Sequence, residues 1–484
     1  METYLQYFEY FMEFSRYAIT LCMAFYTYEC FAVFRLPNET ARKGVYLRQN
    51  LCSFLIQLFC FLDLLLASKK REYFFFYLFV QIFLFSAISM VRMIYERMNR
   101  LLLNNLSFLL GIGFCVISRI SLERAVRQYV IALVSLVVAA FVPYLLERLR
   151  FWKKITWLYA AAGIFLLGGV LILGQMTNGS KISVRLGGIS FQPAEFVKLI
   201  FIFFLAAALR EKISLPRVAL TAALAGVHVL LLVVSKDLGS ALIFFVSFVL
   251  VVFIATKNCW YLLAGAVGGS LSAWGAYSLF AHVRVRILAW KNPWEYIDNQ
   301  GYQITQSLFA ISSGGFFGAG LYQGDPKAIP YVDADFIFSA VCEELGLFFG
   351  ISLIFVCVSC FVMMMSISAR LEDRFFQLTV YGLGVLYIFQ IFLTIGGGIK
   401  FIPLTGVTLP FVSYGGSSVM STMVLFFIVQ GSYRKMQQEG AELVRKRKQK
   451  TSSGGKRQLT AQPQPSAASG EAGSFKEPDA SQET

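Results

Sequence analysis

The sequence predicts an all-α protein that crosses a membrane many times. Three observations carry that expectation. Of the 484 residues, 57% are hydrophobic, against about 45–50% in a soluble chain. Charged residues make up 15%, where soluble proteins hold roughly 25%. The apolar residues also fall in runs of about 17–25, the length that spans a hydrocarbon core. Lipid offers the backbone no hydrogen-bond partner, so each run is expected to be helical.

Taken in chain order, the runs are 10–34, 46–67, 73–94, 102–119, 127–146, 154–174, 193–209, 217–235, 238–255, 260–280, 336–361, 375–397 and 410–431. They divide the chain into a membrane extension (1–101), a transmembrane core (102–433) and a basic tail (434–484). From about residue 450 the tail turns to Ser, Gly, Gln, Pro and Ala. Such a composition buries no core and is expected to be disordered.

The net charge of +15 suggests nucleic acid, but its distribution excludes that partner. Lys and Arg cluster in short loops and in the tail, the pattern of a topology signal and of contact with membrane lipids. Arg148, Arg150, Lys153 and Lys154 form one such loop. Arg210, Lys212 and Arg217 form the next, followed by Arg370, Arg374 and the run from Arg434 to Lys448. All fall on one side if the core starts inside, so that side is expected to be cytoplasmic. The loops near 175–192, 281–335 and 398–409 then face outward. Lys69, Lys70 and Arg71 break the scheme, so one of the first three runs is expected to be re-entrant or wrongly bounded. The first fourteen residues hold three Glu and no Lys or Arg, unlike a cleavable signal. Cys22, Cys30, Cys52, Cys60, Cys115, Cys357 and Cys360 lie inside apolar runs without metal-ligand spacing, and read as small buried hydrophobes.

Candidate functional residues lie in the long loop and inside the runs. The loop 281–335 carries Arg284, Arg286, Lys291, Glu295, Asp298, Gln303 and Ser307, and ends at Asp335. Long ordered loops are disproportionately functional, and this mixture of Arg, carboxylate and Trp suits a polar anionic headgroup. Its Ser313–Gly320 glycines are not a dinucleotide fingerprint, because no strand precedes them. Charges inside a membrane are costly and default to functional candidates. Glu195 and Lys198, three apart after Gln192 and Pro193, share a helix face; a structural ion pair and a substrate role both fit them. Asp237 opens a run as a cap. Of Glu343 and Glu344, adjacent on a helix, one at most faces a common cavity. With His228 and His282 the only histidines, no Ser/His/Asp set is expected.

These segments carry a resemblance. Phe401–Ser418 (FIPLTGVTLPFVSYGGSS), Phe191–Lys198 (FQPAEFVK), Asp237–Ser240, Gly301–Ser307 and Asp335–Gly346 resemble, in order, the SEDS family of RodA, FtsW and SpoVE type. The resemblance spans about 102–431. It implies a ten-helix core, to which the first hundred residues add about three transmembrane segments. It also implies a bacterial cytoplasmic-membrane peptidoglycan glycosyltransferase, which polymerises lipid II at the outer face in elongation, division or sporulation. The usual partner of such an enzyme is a class B penicillin-binding protein. A lipid-precursor flippase and a catalytically weakened scaffold for a transpeptidase are the competing readings. The chemistry asks for a general base at the attacking sugar hydroxyl. It also asks for cations, or a divalent metal ion, at the diphosphate. The family's base is an Asp just before the Gly-Tyr-Gln element, and here Tyr296 holds that position. Asp298 is the first expectation for the base and Glu295 the second. Arg284, Arg286 and Lys291 are expected to clamp the diphosphate. Substrate contacts are expected from Gln192, Glu195, Lys198, Gln303, Ser307, Asp335, Glu343, Ser413, Tyr414 and Ser417. Two departures from the family pattern are Lys181–Arg185, without an Arg-Trp pair, and Thr394, in place of Asn.

Overall fold

A computed structural model describes residues 2–459 apart from 38, 149, 178–179, 187–188 and 212. Before the first sheet it runs α1 (Glu2–Arg35), α2 (Glu39–Ser68), α3 (Glu72–Ile94), α4 (Arg100–Ile120), α5 (Leu122–Arg148) and α6 (Thr156–Leu173). Three short antiparallel strands follow in the order β1 (Gln175–Thr177), β2 (Ser180–Leu186), β3 (Ile189–Phe191). Next come α7 (Pro193–Ala208), α8 (Leu215–Val234), α9 (Leu238–Thr256), α10 (Trp260–Leu279), α11 (Ala281–Lys291) and α12 (Tyr302–Gly314). The chain then forms α13 (Ile337–Leu345), α14 (Leu347–Arg370), α15 (Arg374–Gly398) and α16 (Gly416–Leu459).

Among the described residues ten helices are long and apolar enough to cross a membrane: α1–α6, α8, α9, α14 and α15. The protein is a multi-pass membrane protein. Met1–Met436 forms one compact unit. Gln437–Thr484 forms a second, helical as far as Leu459. That helix runs past the change of composition near residue 450, as extension of an existing helix requires no new nucleus. The rest of the expected disordered tail, 460–484, lies outside the described residues.

α4 is apolar on every side, and such a helix belongs in an interior; it is buried along almost its whole length. Asn99 caps it, its side-chain oxygen accepting the Leu102 N–H at 3.1 Å. Gln430 of α16 bonds both backbone groups of Asn99. The N-terminal helices join this core through buried polar contacts. Gln49 of α2 accepts from Asn104 at 3.0 Å. Tyr26 of α1 donates to Asn105 at 3.0 Å, and Asn105 donates to Ser359 of α14 at 2.8 Å. Buried amides need partners, and here each partner lies on a different helix.

Several expectations need correction. All of α1, α2 and α3 are full-length helices, so none is re-entrant. The Lys69–Arg71 turn sits at the Ser118 end of α4, where Tyr73 donates to the Ser118 carbonyl at 3.4 Å. The charge rule is a statistical bias over short loops, and this turn runs against it. The run 336–361 is two helices, α13 and α14, broken at Gly346, whose φ of +93° only glycine adopts readily. The break lets the backbone of 314–320 approach closely: Ala319 N–H donates to the Glu343 carbonyl at 2.8 Å and Gly320 N–H to that of Glu344 at 3.0 Å. A Cβ on Gly318 would stand 2.2 Å from the Glu344 oxygen, which explains the glycines of this loop. The run 410–431 becomes helical only at Gly416. The loop 281–335 is partly helical, holding α11 and α12. At the other end of the bundle, Asp373 pairs with both Lys153 and Lys435. That contact gathers the basic segments of α5–α6, α14–α15 and α16 at one face, as the charge pattern anticipates.

Candidate functional site

Two groups of polar residues lie in the core unit. The first starts at Pro193, the first residue of α7, where a missing N–H costs nothing. One turn on, Glu195 and Lys198 are 8% and 3% exposed. Lys198 Nζ donates to Glu195 Oε2 at 2.6 Å and to Gln390 Oε1 of α15 at 2.8 Å. Ser421 of α16 donates to the same Glu195 oxygen at 2.8 Å. Gln390 in turn donates to the Thr408 carbonyl at 3.0 Å, and the Thr408 hydroxyl donates to Ser418 at 2.8 Å. The network welds α7, α15, α16 and the 401–415 loop together. The expected pair is present, and its charges are matched by protein groups.

The second group lies at the end of the bundle that carries the 281–335 loop. Asp335 precedes α13, in a segment tied down on both sides. Ser413 donates to the Ala334 carbonyl at 2.6 Å, the Tyr414 N–H donates to the Asp333 carbonyl at 2.7 Å, and Arg124 pairs with Asp333 at 2.6 Å. Asp335 itself is half-buried, and no described residue hydrogen-bonds its carboxylate. It faces Gly406, where an added Cβ would stand 3.6 Å from Oδ2 and where φ is +75°. It also lies within the field of Arg286 on α11. Burial pushes the Asp335 carboxyl up to about 6, the nearby charge of Asp333 adding to the rise and Arg286 opposing it. Arg286 forms no direct ion pair among the described residues. His282, one turn before it, is held below its ordinary value by burial and by the positive charges of Arg286 and Lys236. Its Nε2 is buried without a partner, as is the Thr405 hydroxyl beside Gly406. Asp237 caps α9, accepting the Ser240 N–H at 3.1 Å. This cap sets Gly239 against Thr405, whose carbonyl would lie 2.9 Å from an added Cβ. Four segments distant in sequence thus come close together: 236–239, 282–286, 333–335 and 405–406.

The remaining expected site residues divide between scaffold and surface. Glu343 accepts the Asp325 N–H at 2.8 Å. Glu344 accepts the Tyr322 N–H at 3.1 Å and pairs with Arg119 at 2.8 Å. Both carboxylates therefore hold the loop before α13. Ser307 bonds Ser339 at 2.5 Å and donates to the Gly398 carbonyl at 2.7 Å. Ser413 also accepts the Leu409 N–H at 2.9 Å, and Ser417 accepts the Gln192 N–H at 3.0 Å. The Gln192 amide reaches Asp237 at 3.5 Å. The Gln303 and Tyr414 side chains are half-buried. Asp298 and Glu295 are exposed, Glu295 accepting from Asn292 at 3.2 Å, and Tyr296 beside them is half-buried. In the expected clamp, Arg284 donates to the Ser278 carbonyl at 2.8 Å and so closes the end of α10. Lys291 is exposed, and Arg286 is half-buried near Asp335. Thr394 donates to the Gln390 and Val407 carbonyls, a backbone-bracing role. The side chains of Lys181 and Arg185 lie outside the described residues. Among the described residues no three His, Cys, Asp and Glu side chains converge as metal ligands. Sequence reasoning missed Lys236, His282 and Thr405. The position of Lys236 just before Asp237-Leu238-Gly239 was the available signal for the first.

The profile of the FtsW/RodA/SpoVE family of cell cycle proteins matches residues 101–437. The chain belongs to that family. The peptidoglycan glycosyltransferase RodA of Mycobacterium tuberculosis is 33% identical over 68% of this chain and 76% of its own length. The stage V sporulation protein E of Bacillus subtilis is 35% identical over 61% of this chain and 82% of its own. A chain solved in a study of polymerization and crosslinking by a peptidoglycan synthase complex matches with a TM-score of 0.61. It is 25% identical and covers 70% of this chain and 99% of its own length. RodA of Thermus thermophilus shares the fold, with a TM-score of 0.53 at 24% identity over 71% of this chain and 98% of its own. The family match begins at α4, and α1–α3 precede it.

Proposed function

We propose that this FtsW/RodA/SpoVE member is a peptidoglycan glycosyltransferase, which polymerises lipid II into glycan strands at the outer face of the cytoplasmic membrane. The observation that carries the reading is the match to a glycosyltransferase relative over three-quarters of that relative's length. Arg286 and Asp335, close enough for their charges to interact, supply what the reaction needs in one place. Arg286, with Lys236 and His282 nearby, faces the diphosphate and stabilises the charge that develops as it leaves. Any divalent cation that accompanies the substrate rides on phosphate oxygens rather than in a protein cage. The 281–335 loop faces outward and the Asp373 cluster faces the cytoplasm.

The buried pair argues against a flippase. A transport path lined by Glu195 and Lys198 would need charges free to meet a passing headgroup, and both are already matched inside the core. The scaffold reading draws on Tyr296, which holds the position of the family's Asp. A phenol lacks the carboxylate that a general base for a sugar hydroxyl would offer. The partner is a class B penicillin-binding protein, in keeping with the match to a chain from a synthase complex.

The test is polymerisation of lipid II by the purified full chain, with and without that partner, read as glycan strands on a gel. Strands are expected in the presence of the partner. Their absence in every condition, with lipid II binding retained, contradicts the enzyme reading and favours the scaffold.

A further inference from the structure

We propose that Asp335, rather than Asp298 or Glu295, accepts the proton of the attacking sugar hydroxyl. The inference rests on the glycosyltransferase reading above and deepens it.

A base must sit beside the place where the leaving group is held, and its carboxylate must be free to receive a proton. Asp298 and Glu295 lie on an exposed turn between α11 and α12, and the Glu295 carboxylate already takes an amide hydrogen bond. Asp335 meets both conditions. Its backbone is fixed through Asp333, Ala334, Ser413 and Tyr414, and its side chain accepts from no described residue. Gly406 stands opposite, where an added Cβ would be in ordinary van der Waals contact with Oδ2 at 3.6 Å. The hydroxyl of the neighbouring Thr405 is buried without a partner. Arg286 is close enough for its charge to act on the carboxylate, and the two form no ion pair among the described residues. In the proposed complex the anionic leaving group sits on the Arg286 side and the sugar hydroxyl on the Asp335 side.

In the step itself, the hydroxyl oxygen of the acceptor sugar forms a bond to the anomeric carbon of the donor. The bond from that carbon to the diphosphate oxygen breaks, and its electron pair leaves on the diphosphate beside Arg286. The hydroxyl proton passes to the Asp335 carboxylate. Polymerisation is expected to fall as pH drops below about 6, because the base is lost on protonation. The charged groups facing Asp335 are Arg286 from α11 and Asp333 from its own segment, the latter paired with Arg124 of α5.

The experiment measures lipid II polymerisation and lipid II binding for the full chain with its partner. It compares the parent with Asp335→Asn, Asp335→Glu, Asp298→Asn and Glu295→Gln. Asp335→Asn is expected to lose about 10²–10⁴-fold in rate, the usual contribution of a general base, with lipid II affinity and thermal midpoint retained. Asp335→Glu is expected to recover part of the rate and to keep an acid limb in its pH profile. An Asp335→Asn variant that polymerises within threefold of an active parent overturns the assignment. So does an Asp298→Asn or Glu295→Gln variant that alone shows the loss. A parent that binds lipid II but never polymerises overturns the glycosyltransferase reading, and the base assignment with it.

Discussion

Lys198 and Arg286 are both cations in the core unit, and their surroundings differ in a telling way. Lys198 meets Glu195 at 2.6 Å and Gln390 at 2.8 Å, with Ser421 completing the Glu195 side. Arg286 lies near Asp335 but bonds to no described residue, and close to it an imidazole nitrogen and a hydroxyl also lack partners. Lys198 already has two protein partners, as a structural charge would. Arg286 has no hydrogen-bond or ion-pair partner among the described residues, as a ligand-binding charge would. A charge in a membrane protein is therefore better read by whether its partners are already present than by its depth alone.

The comparison breaks most visibly at the buried network. Lys198→Met leaves Glu195 buried without its cation, and removing one partner of a buried pair costs about 3–5 kcal/mol. Thermal unfolding of the purified protein is expected to show that loss, and the double variant Glu195→Gln/Lys198→Met is expected to recover part of it. A Lys198→Met protein as stable as the parent contradicts the scaffold role. A somewhat smaller effect is expected at Arg119, which pairs with Glu344, donates to the Gly324 carbonyl at 2.9 Å and stacks over Tyr322 at 4.2 Å. Arg119→Met leaves a buried carboxylate and a carbonyl short of partners, at a cost of about 3 kcal/mol. The 315–330 loop is then expected to open, and limited proteolysis there should accelerate at least tenfold. Unchanged cleavage would show that Glu343 and the glycine contacts hold the loop alone.

Much of the fold was legible because a membrane leaves the backbone no alternative to helix. The extents of α3, α4 and α9 follow directly from their apolar runs. The break between α13 and α14 was hidden because residues on both sides of Gly346 are apolar, and only the positive φ marks it. The spacing of Glu195 and Lys198 revealed their pairing, since residues three apart share a helix face. Gln390 and Ser421, which complete that network, are about two hundred residues away and leave no local signal. Glu343 is a candidate in the sequence because a carboxylate in an apolar run suggests function. One of its oxygens accepts the backbone N–H of Asp325, a contact no side-chain pattern records, and the other is buried without a partner. Asp335 was legible as part of a motif, but its exposure to Arg286 and Gly406 depends on the meeting of three distant segments.

The most direct test of the account is lipid II affinity measured beside thermal stability for Arg286→Ala and Lys198→Met in the full chain. Arg286→Ala is expected to weaken binding by about tenfold or more, the worth of a charge-assisted contact, at an unchanged unfolding midpoint. Lys198→Met is expected to lower the midpoint while the folded fraction binds within threefold of the parent. The opposite pattern, with binding lost at Lys198 and kept at Arg286, would move the ligand to the buried network and contradict the account.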